Sequence, residues 1–203
     1  MSKLTSMSTS IFDSINKMRF EKVSYKQWEK DYMERIAKYS IAFEPNNINS
    51  QYEACAAAYE QITLPTRATP GSAGYDFYLP YNVTVPYRFT ADNDTLLLPT
   101  GIRWVVENNN PVVLKLYIRS SMGIKKNMVL ANGTGIIDAD YCKAVNEGHI
   151  MIAVKMPKYP FVIDEPNIRI AQGIISNYLV VDNDIVVETA DDSRKGGFGS
   201  TGK

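Results

Sequence analysis

The sequence predicts an all-β body, an antiparallel sandwich or distorted β-barrel of the jelly-roll kind, carrying an N-terminal helical appendage. Two patterns in the 203 residues point that way. Helical periodicity is confined to the first part of the chain and disappears from Ile62 onward. Beyond it, about ten short runs rich in Val, Ile, Leu, Tyr and Thr are separated by Pro, Gly, Asn and Asp, with no long crossover helix. An apolar content of 45% supplies one good core.

The first ten residues are polar and serine-rich, the composition of a disordered tail. In "VSYKQWEKDYMERIAKY", Ser24 is placed to cap a helix, with Gln27 three residues on. Tyr25, Trp28, Tyr32, Ile36 and Tyr39 then recur at spacings of three or four, so one helical face is aromatic and must cover something apolar. "EPNNINS" breaks the pattern. Ser50 with Glu53 repeats the capping signature before "ACAAAYEQ", a second and shorter helix. Strand runs follow: "YDFYLP", "VTVPY", "TLLLP", "GIRWVVE", "PVVLKLYI", "NMVLA", "GHIMIAVKM", "PFVI", "RIAQGIISNYLVV" and "DIVVET". The expected organisation is a tail and helical appendage over 1–60, a β body over 61–190 and a glycine-rich arm over 191–203.

Composition also excludes several classes of function. Lys plus Arg equals Asp plus Glu at 22 each, so no global field draws the chain to duplex nucleic acid or an anionic membrane. No run approaches the about 18 apolar residues of a membrane span, and the expectation is a soluble, cytoplasmic protein. Cys55 and Cys142 are too few for a disulfide framework and are expected as free thiols. The single histidine, His149, reads as a residue at a strand start rather than a catalytic base.

Five loop segments carry more chemistry than turns need: "PGSAGYD" (70–76), "IRSSMG" (118–123), "NGTGIIDADY" (132–141), "RIAQG" (169–173) and "RKGGFGSTG" (194–202). Each also has a structural reading. Asp76 can cap a turn, Arg119 can form a surface ion pair, and Asp138 and Asp140 can be the solvated face of an extended segment. Tyr141 can be core, and Gln172 can be satisfied within a sheet. Together they describe a phosphate-handling hydrolytic site. An arginine beside two hydroxyls suits phosphate oxygens, a nearby aspartate can activate water, and a glycine-rich tail lets backbone approach a polyphosphate.

In their order and wording, "GSAGYD", "RSSMG", "NGTGIIDADY", "RIAQ" and "GGFGSTG" resemble the five motifs of the trimeric dUTPase family, over about Leu64 to Gly202. The resemblance implies a homotrimer of jelly-roll subunits with shared sites that convert dUTP to dUMP and pyrophosphate with Mg2+. It implies that Asp76 holds a metal-bound water, and that Arg119, Ser120, Ser121 and Gln172 bind phosphate. Asp138 is implied as the general base, with Asp140 a structural neighbour. Tyr141 is implied beneath the deoxyribose, and Asn132, the backbone of Gly135, Ile136 and Ile137, and the main chain near Met151 as a hairpin that pairs with uracil. Phe198 is implied to stack on the base while Gly199, Ser200 and Thr201 close over the phosphates. Arg194 stands one place later than the family's arginine, where this chain has Ser193. After Tyr141, "CKAVNEGH" is longer than the family's usual loop.

Two other readings remain open at this level. One is dCTP deamination, alone or combined with dUTP hydrolysis, since that family shares the fold. The other is an interaction protein whose aromatic N-terminal helix docks a protein partner instead of packing on the body or on a neighbouring subunit.

Overall fold

A computed structural model describes residues 17–37, 48–85, 95–107, 111–155 and 161–185. In chain order they form β1 (Met18–Lys22), α1 (Tyr25–Arg35), α2 (Ile48–Glu60), β2 (Thr66–Arg67), β3 (Tyr75–Leu79), β4 (Val83–Val85), β5 (Thr95–Pro99) and β6 (Ile102–Val106). There follow β7 (Val112–Ile118), α3 (Ser120–Lys126), β8 (Val129–Leu130), β9 (Gly135–Asp138), a 3-10 turn (Ala139–Lys143), β10 (Met151–Lys155), β11 (Phe161–Ile163) and β12 (Ile168–Asn177). The fold is mostly β with few helices, as the sequence patterns predict. "DIVVET" extends beyond the described residues, and its first two residues, Asp184 and Ile185, are not in a strand.

Among the described residues the strands lie in four ladders rather than one closed barrel: β2-β3-β12-β7-β9, β5-β10-β8, β1-β6 and β4-β11. β12 is the organising strand, antiparallel to β3 on one side and β7 on the other. In β7 the run Val112–Ile118 is apolar except at Lys115 and Tyr117; Val112, Leu114 and Leu116 bury one face, while on the other Val113 is buried and Lys115 and Tyr117 are partly exposed.

Helix α1 forms as its spacing predicts. Ser24 is extended at the N-cap and its hydroxyl accepts from the Gln27 N–H at 3.2 Å. Trp28, Tyr32 and Ile36 are buried at 0–1% exposure, whereas Tyr25 is exposed at the helix start and Tyr39 lies outside the described residues. Helix α2 begins at Ile48, so Ser50 is inside its first turn and does not cap it. The first N–H groups of any helix lack intrahelical partners, so small polar residues there suit a start three positions earlier equally well.

The helices are not set apart from the β body. Trp28, Tyr32, Ile36, Cys55 and Ala58 belong to the same buried cluster as Phe77, Leu79, Leu98, Trp104, Leu114 and Ile152. Trp28 donates from Nε1 to the Cys55 carbonyl at 3.0 Å and stacks near Tyr32 and Tyr81, with ring centroids 5.4 and 6.0 Å away. β1, a strand the periodicity did not reveal, pairs with β6 from Met18↔Val106 to Lys22↔Ile102. The aromatic stripe thus covers the body, because about 150–250 Å² of each such ring is withdrawn from water only where another apolar face waits.

Candidate active site

One end of the five-stranded sheet collects an ionic cluster. The β3–β12 register places Asp76 opposite Gln172, and the β12–β7 register places Gln172 opposite Tyr117. Arg119 follows β7 directly, its N–H tied to the Ile170 carbonyl at 3.2 Å. Its Nε then lies 3.2 Å from Asp76 Oδ1, while Arg169 Nη1 lies 3.2 Å from Oδ2. Asp76 is buried, at 6% exposure, whereas the Arg169 side chain is 47% exposed. Arg119 therefore answers a buried acid and is no ordinary surface ion pair. Gly74 makes room for the cluster: a Cβ there would fall 2.7 Å from Gln172 Oε1.

Ser120 and Ser121 are exposed in the first turn of α3, whose hydrogen bonding begins with Met122 and Gly123 donating to the Arg119 carbonyl at 2.9 Å. Two guanidinium groups, two hydroxyls and an amide at one sheet end make a surface suited to a polyanion. For a metal, no group of three or more His, Cys, Asp or Glu ligands forms among the described residues. A lone acid between two cations does not fit a resident ion. It fits a hard cation that arrives on phosphates and keeps water between itself and the protein.

The second group lies elsewhere on the chain. β9 pairs with β7 from Leu116↔Gly135 to Val113↔Asp138. Gly135 is buried against Leu116, Ile136 is 53% exposed and Ile137 is partly buried against the core. Asn132 is exposed in the turn between β8 and β9, where the Gly133 N–H donates to the Leu130 carbonyl. The expected hairpin is a turn between two sheets, since β8 pairs with β10 and β9 with β7. The Ala131 N–H donates to the Ala153 carbonyl at 2.9 Å, and that register leads Asn132 and Gly133 towards Ile152 and Met151. Asp138 ends the strand in extended geometry and Asp140 is in the 3-10 turn, so the two carboxylates do not alternate along one extended segment. Tyr141, in the same turn, is 5% exposed.

Asp138 and Arg119 sit at opposite ends of β7. Asp138 faces Val113, and Arg119 is the sixth residue beyond it, so the two backbones are about 20 Å apart along the strand. One chain therefore carries its Asp76–arginine cluster and its Asp138–Tyr141 group at two separate places.

Tyr141 is held from behind by residues outside the motifs. Its hydroxyl donates to the His149 carbonyl at 3.2 Å and accepts from Asn146 Nδ2 at 2.9 Å. The His149 ring, fully buried, accepts at Nε2 from the Gly101 N–H at 2.8 Å. Its proton is therefore on Nδ1, donated to Asp31 Oδ2 at 2.6 Å. Burial works to raise the Asp31 carboxyl, but hydrogen bonds from His149 and Gln27 outweigh it and hold the carboxyl below its ordinary value. At the loop tip, Glu147 accepts from the Ser24 N–H at 2.8 Å and hydroxyl at 2.6 Å. Gly148 closes this loop at φ +72°, where a Cβ would lie 2.7 Å from the Tyr141 carbonyl.

Arg194, Phe198, Gly199, Ser200 and Thr201 lie outside the described residues. Sequence reasoning missed two features. Arg169 lies in "RIAQG" beside Gln172, and its partner Asp76 is 93 positions away, so only the charge of the side chain signals the site. The Asp31–His149 pair left no signal, because its members are 118 positions apart.

Comparisons with known proteins agree on one family. The dUTPase family model matches residues 60–202. The deoxyuridine 5'-triphosphate nucleotidohydrolase of Lactococcus lactis is 37% identical over 142 residues, covering 70% of this chain and 89% of the relative. That of Escherichia coli is 34% identical over 145 residues, covering 71% and 90%. Among solved structures, the crystal structure of the dUTPase from Streptococcus mutans is similar with a TM-score of 0.51 at 34% identity, covering 61% of this chain and 91% of the other.

Proposed function

This chain belongs to the dUTPase family, and on that premise we propose that it hydrolyses dUTP to dUMP and pyrophosphate with Mg2+ carried on the triphosphate. The observation that carries the reading is Asp76, buried between Arg119 and Arg169 beside Gln172. That cluster binds phosphate without requiring a metal cage.

Arg119 exchanges Asp76 for phosphate oxygens when substrate arrives, and Ser120, Ser121 and Gln172 add neutral hydrogen bonds. Asp76, freed on one oxygen, would hold the divalent cation through water. The cation, when bound, neutralises charge on the phosphates. Asp138 takes a proton from water as its oxygen bonds to the α-phosphorus. The bond from the α-phosphorus to its bridging oxygen breaks, and the electron pair leaves with pyrophosphate. Because the forming charge is already compensated by cations, a weak base suffices.

Tyr141, fixed by its hydroxyl, packs under the deoxyribose and leaves no space for a 2′-hydroxyl. Asn132, the backbone of Gly135, Ile136 and Ile137, and the main chain at Met151 meet the uracil edge. A base presenting the wrong donors leaves buried groups unpaired, at about 1–3 kcal/mol each. Phe198 stacks on the base, and Arg194, Gly199, Ser200 and Thr201 close over the phosphates and exclude water.

The separation of about 20 Å along β7 supports a site assembled between chains, in a homotrimer of jelly-roll subunits: the anion cluster of one subunit meets the Asp138–Tyr141 group of another. Pyrophosphate release measured with dUTP, dCTP, dTTP and UTP tests the assignment. Turnover of dUTP alone is expected; ammonia release from dCTP, or equal turnover of UTP, overturns it.

A further inference from the structure

Residues before position 60 lie outside the family match, yet they reach the group that touches the sugar in the proposed site. Helix α1 does so twice: through Ser24 to Glu147 at the loop tip, and through Asp31 to the His149 ring. Asp31 is 3% exposed and His149 is fully buried, so that contact is shielded from water, whereas the Ser24–Glu147 contact is exposed. The imidazole is clamped on both nitrogens, by Asp31 on one side and the Gly101 N–H on the other. Gln27 Nε2 donates to the same Asp31 oxygen at 2.7 Å, and Arg35 Nε lies 3.9 Å from the other oxygen. With its ring fixed, His149 presents its carbonyl in one position, and that carbonyl accepts the Tyr141 hydroxyl.

We propose that Asp31 and His149 are positioning residues for sugar discrimination, an N-terminal clamp that holds Tyr141 where a 2′-hydroxyl collides with its ring. The inference rests on Tyr141 being the residue beneath the deoxyribose. It assigns a function to α1 beyond filling the core. A tyrosine free to retreat by a fraction of an ångström admits a ribose; a tyrosine whose hydroxyl is anchored to a doubly clamped residue does not.

The test uses the full-length protein and the ratio of kcat/KM for dUTP over UTP. Asp31→Ala leaves the buried His149 Nδ1–H unpaired and should lower the ratio by about tenfold, mostly through better use of UTP. Asp31→Asn keeps an oxygen where Oδ2 stands and should restore the ratio to within about twofold, a rescue that general loosening of the core would not give. In a Tyr141→Phe background, which lacks the hydroxyl link, Asp31→Ala should have no further effect on the ratio. A ratio unchanged in Asp31→Ala overturns the inference, as does an equal additional loss in the Tyr141→Phe background. Should Asp31→Ala fail to fold, the chain's one histidine gives a second measurement: its imidazole ¹⁵N signals in the unmodified protein should report the proton on Nδ1, and a proton on Nε2 overturns the clamp. Failure of the functional reading looks different, because the unmodified protein would then not turn over dUTP at all.

Discussion

Two inactive variants of this protein should restore each other. Asp138→Asn removes the proposed base and leaves the proposed anion cluster intact; Arg119→Ala disables that cluster and leaves Asp138 intact. With the two groups about 20 Å apart on one chain, the proposed site takes them from different chains of a trimer. If the variants are unfolded together and refolded as an equal mixture, random assembly of a symmetric trimer gives each site an intact cluster with probability one half and an intact base with probability one half. About one quarter of wild-type turnover should return. Activity should follow the product of the two mole fractions, peaking at equal amounts, when read as pyrophosphate release from dUTP. Alone, Asp138→Asn should bind nucleotide with almost no turnover. A refolded mixture as inactive as its components would refute the shared-site argument, and a fully active Asp138→Asn would refute the base assignment.

Four further outcomes are expected. Trp28→Ala should cost about 3–5 kcal/mol in urea unfolding, because the ring is fully buried and bonded to the Cys55 carbonyl; an unchanged midpoint would mean that α1 contributes nothing to the core. Acid should unfold the wild type more steeply than Asp31→Asn, measured as melting temperature against pH. The Asp31 carboxyl is depressed in the folded state, so its contribution is present above the unfolded value of about 4 and is lost as pH falls through the lower folded one. Burial pushes the Cys55 thiol up to about 12, so a thiol reagent near neutral pH should label the partly exposed Cys142 first and Cys55 only in denaturant. Removing residues 191–203 should leave a folded protein that binds dUTP and turns it over poorly; full activity in the truncated protein would make the arm dispensable.

What the sequence determined by itself was local. Runs such as "PVVLKLYI" and "TLLLP" became β7 and β5 because β-branched and apolar residues bounded by turn formers favour extended backbone wherever they lie. Ser24 became a cap because its hydroxyl needs only an N–H three residues on. Arg119, Asp76 and Gln172 were legible as a set because their motifs are short and ordered, but nothing local showed that Asp76 would be buried between two arginines.

The tertiary structure alone decided what the N-terminal segment does. β1 pairs with a strand 80 to 88 positions away, and Asp31 meets His149 across 118. Such partners are chosen by which buried faces and buried polar groups can be satisfied together once the chain is compact. The energy of a matched pair buried beside Trp28 has no counterpart in the propensity of either residue, so a pattern that reads as an appendage folds as part of the core behind Tyr141.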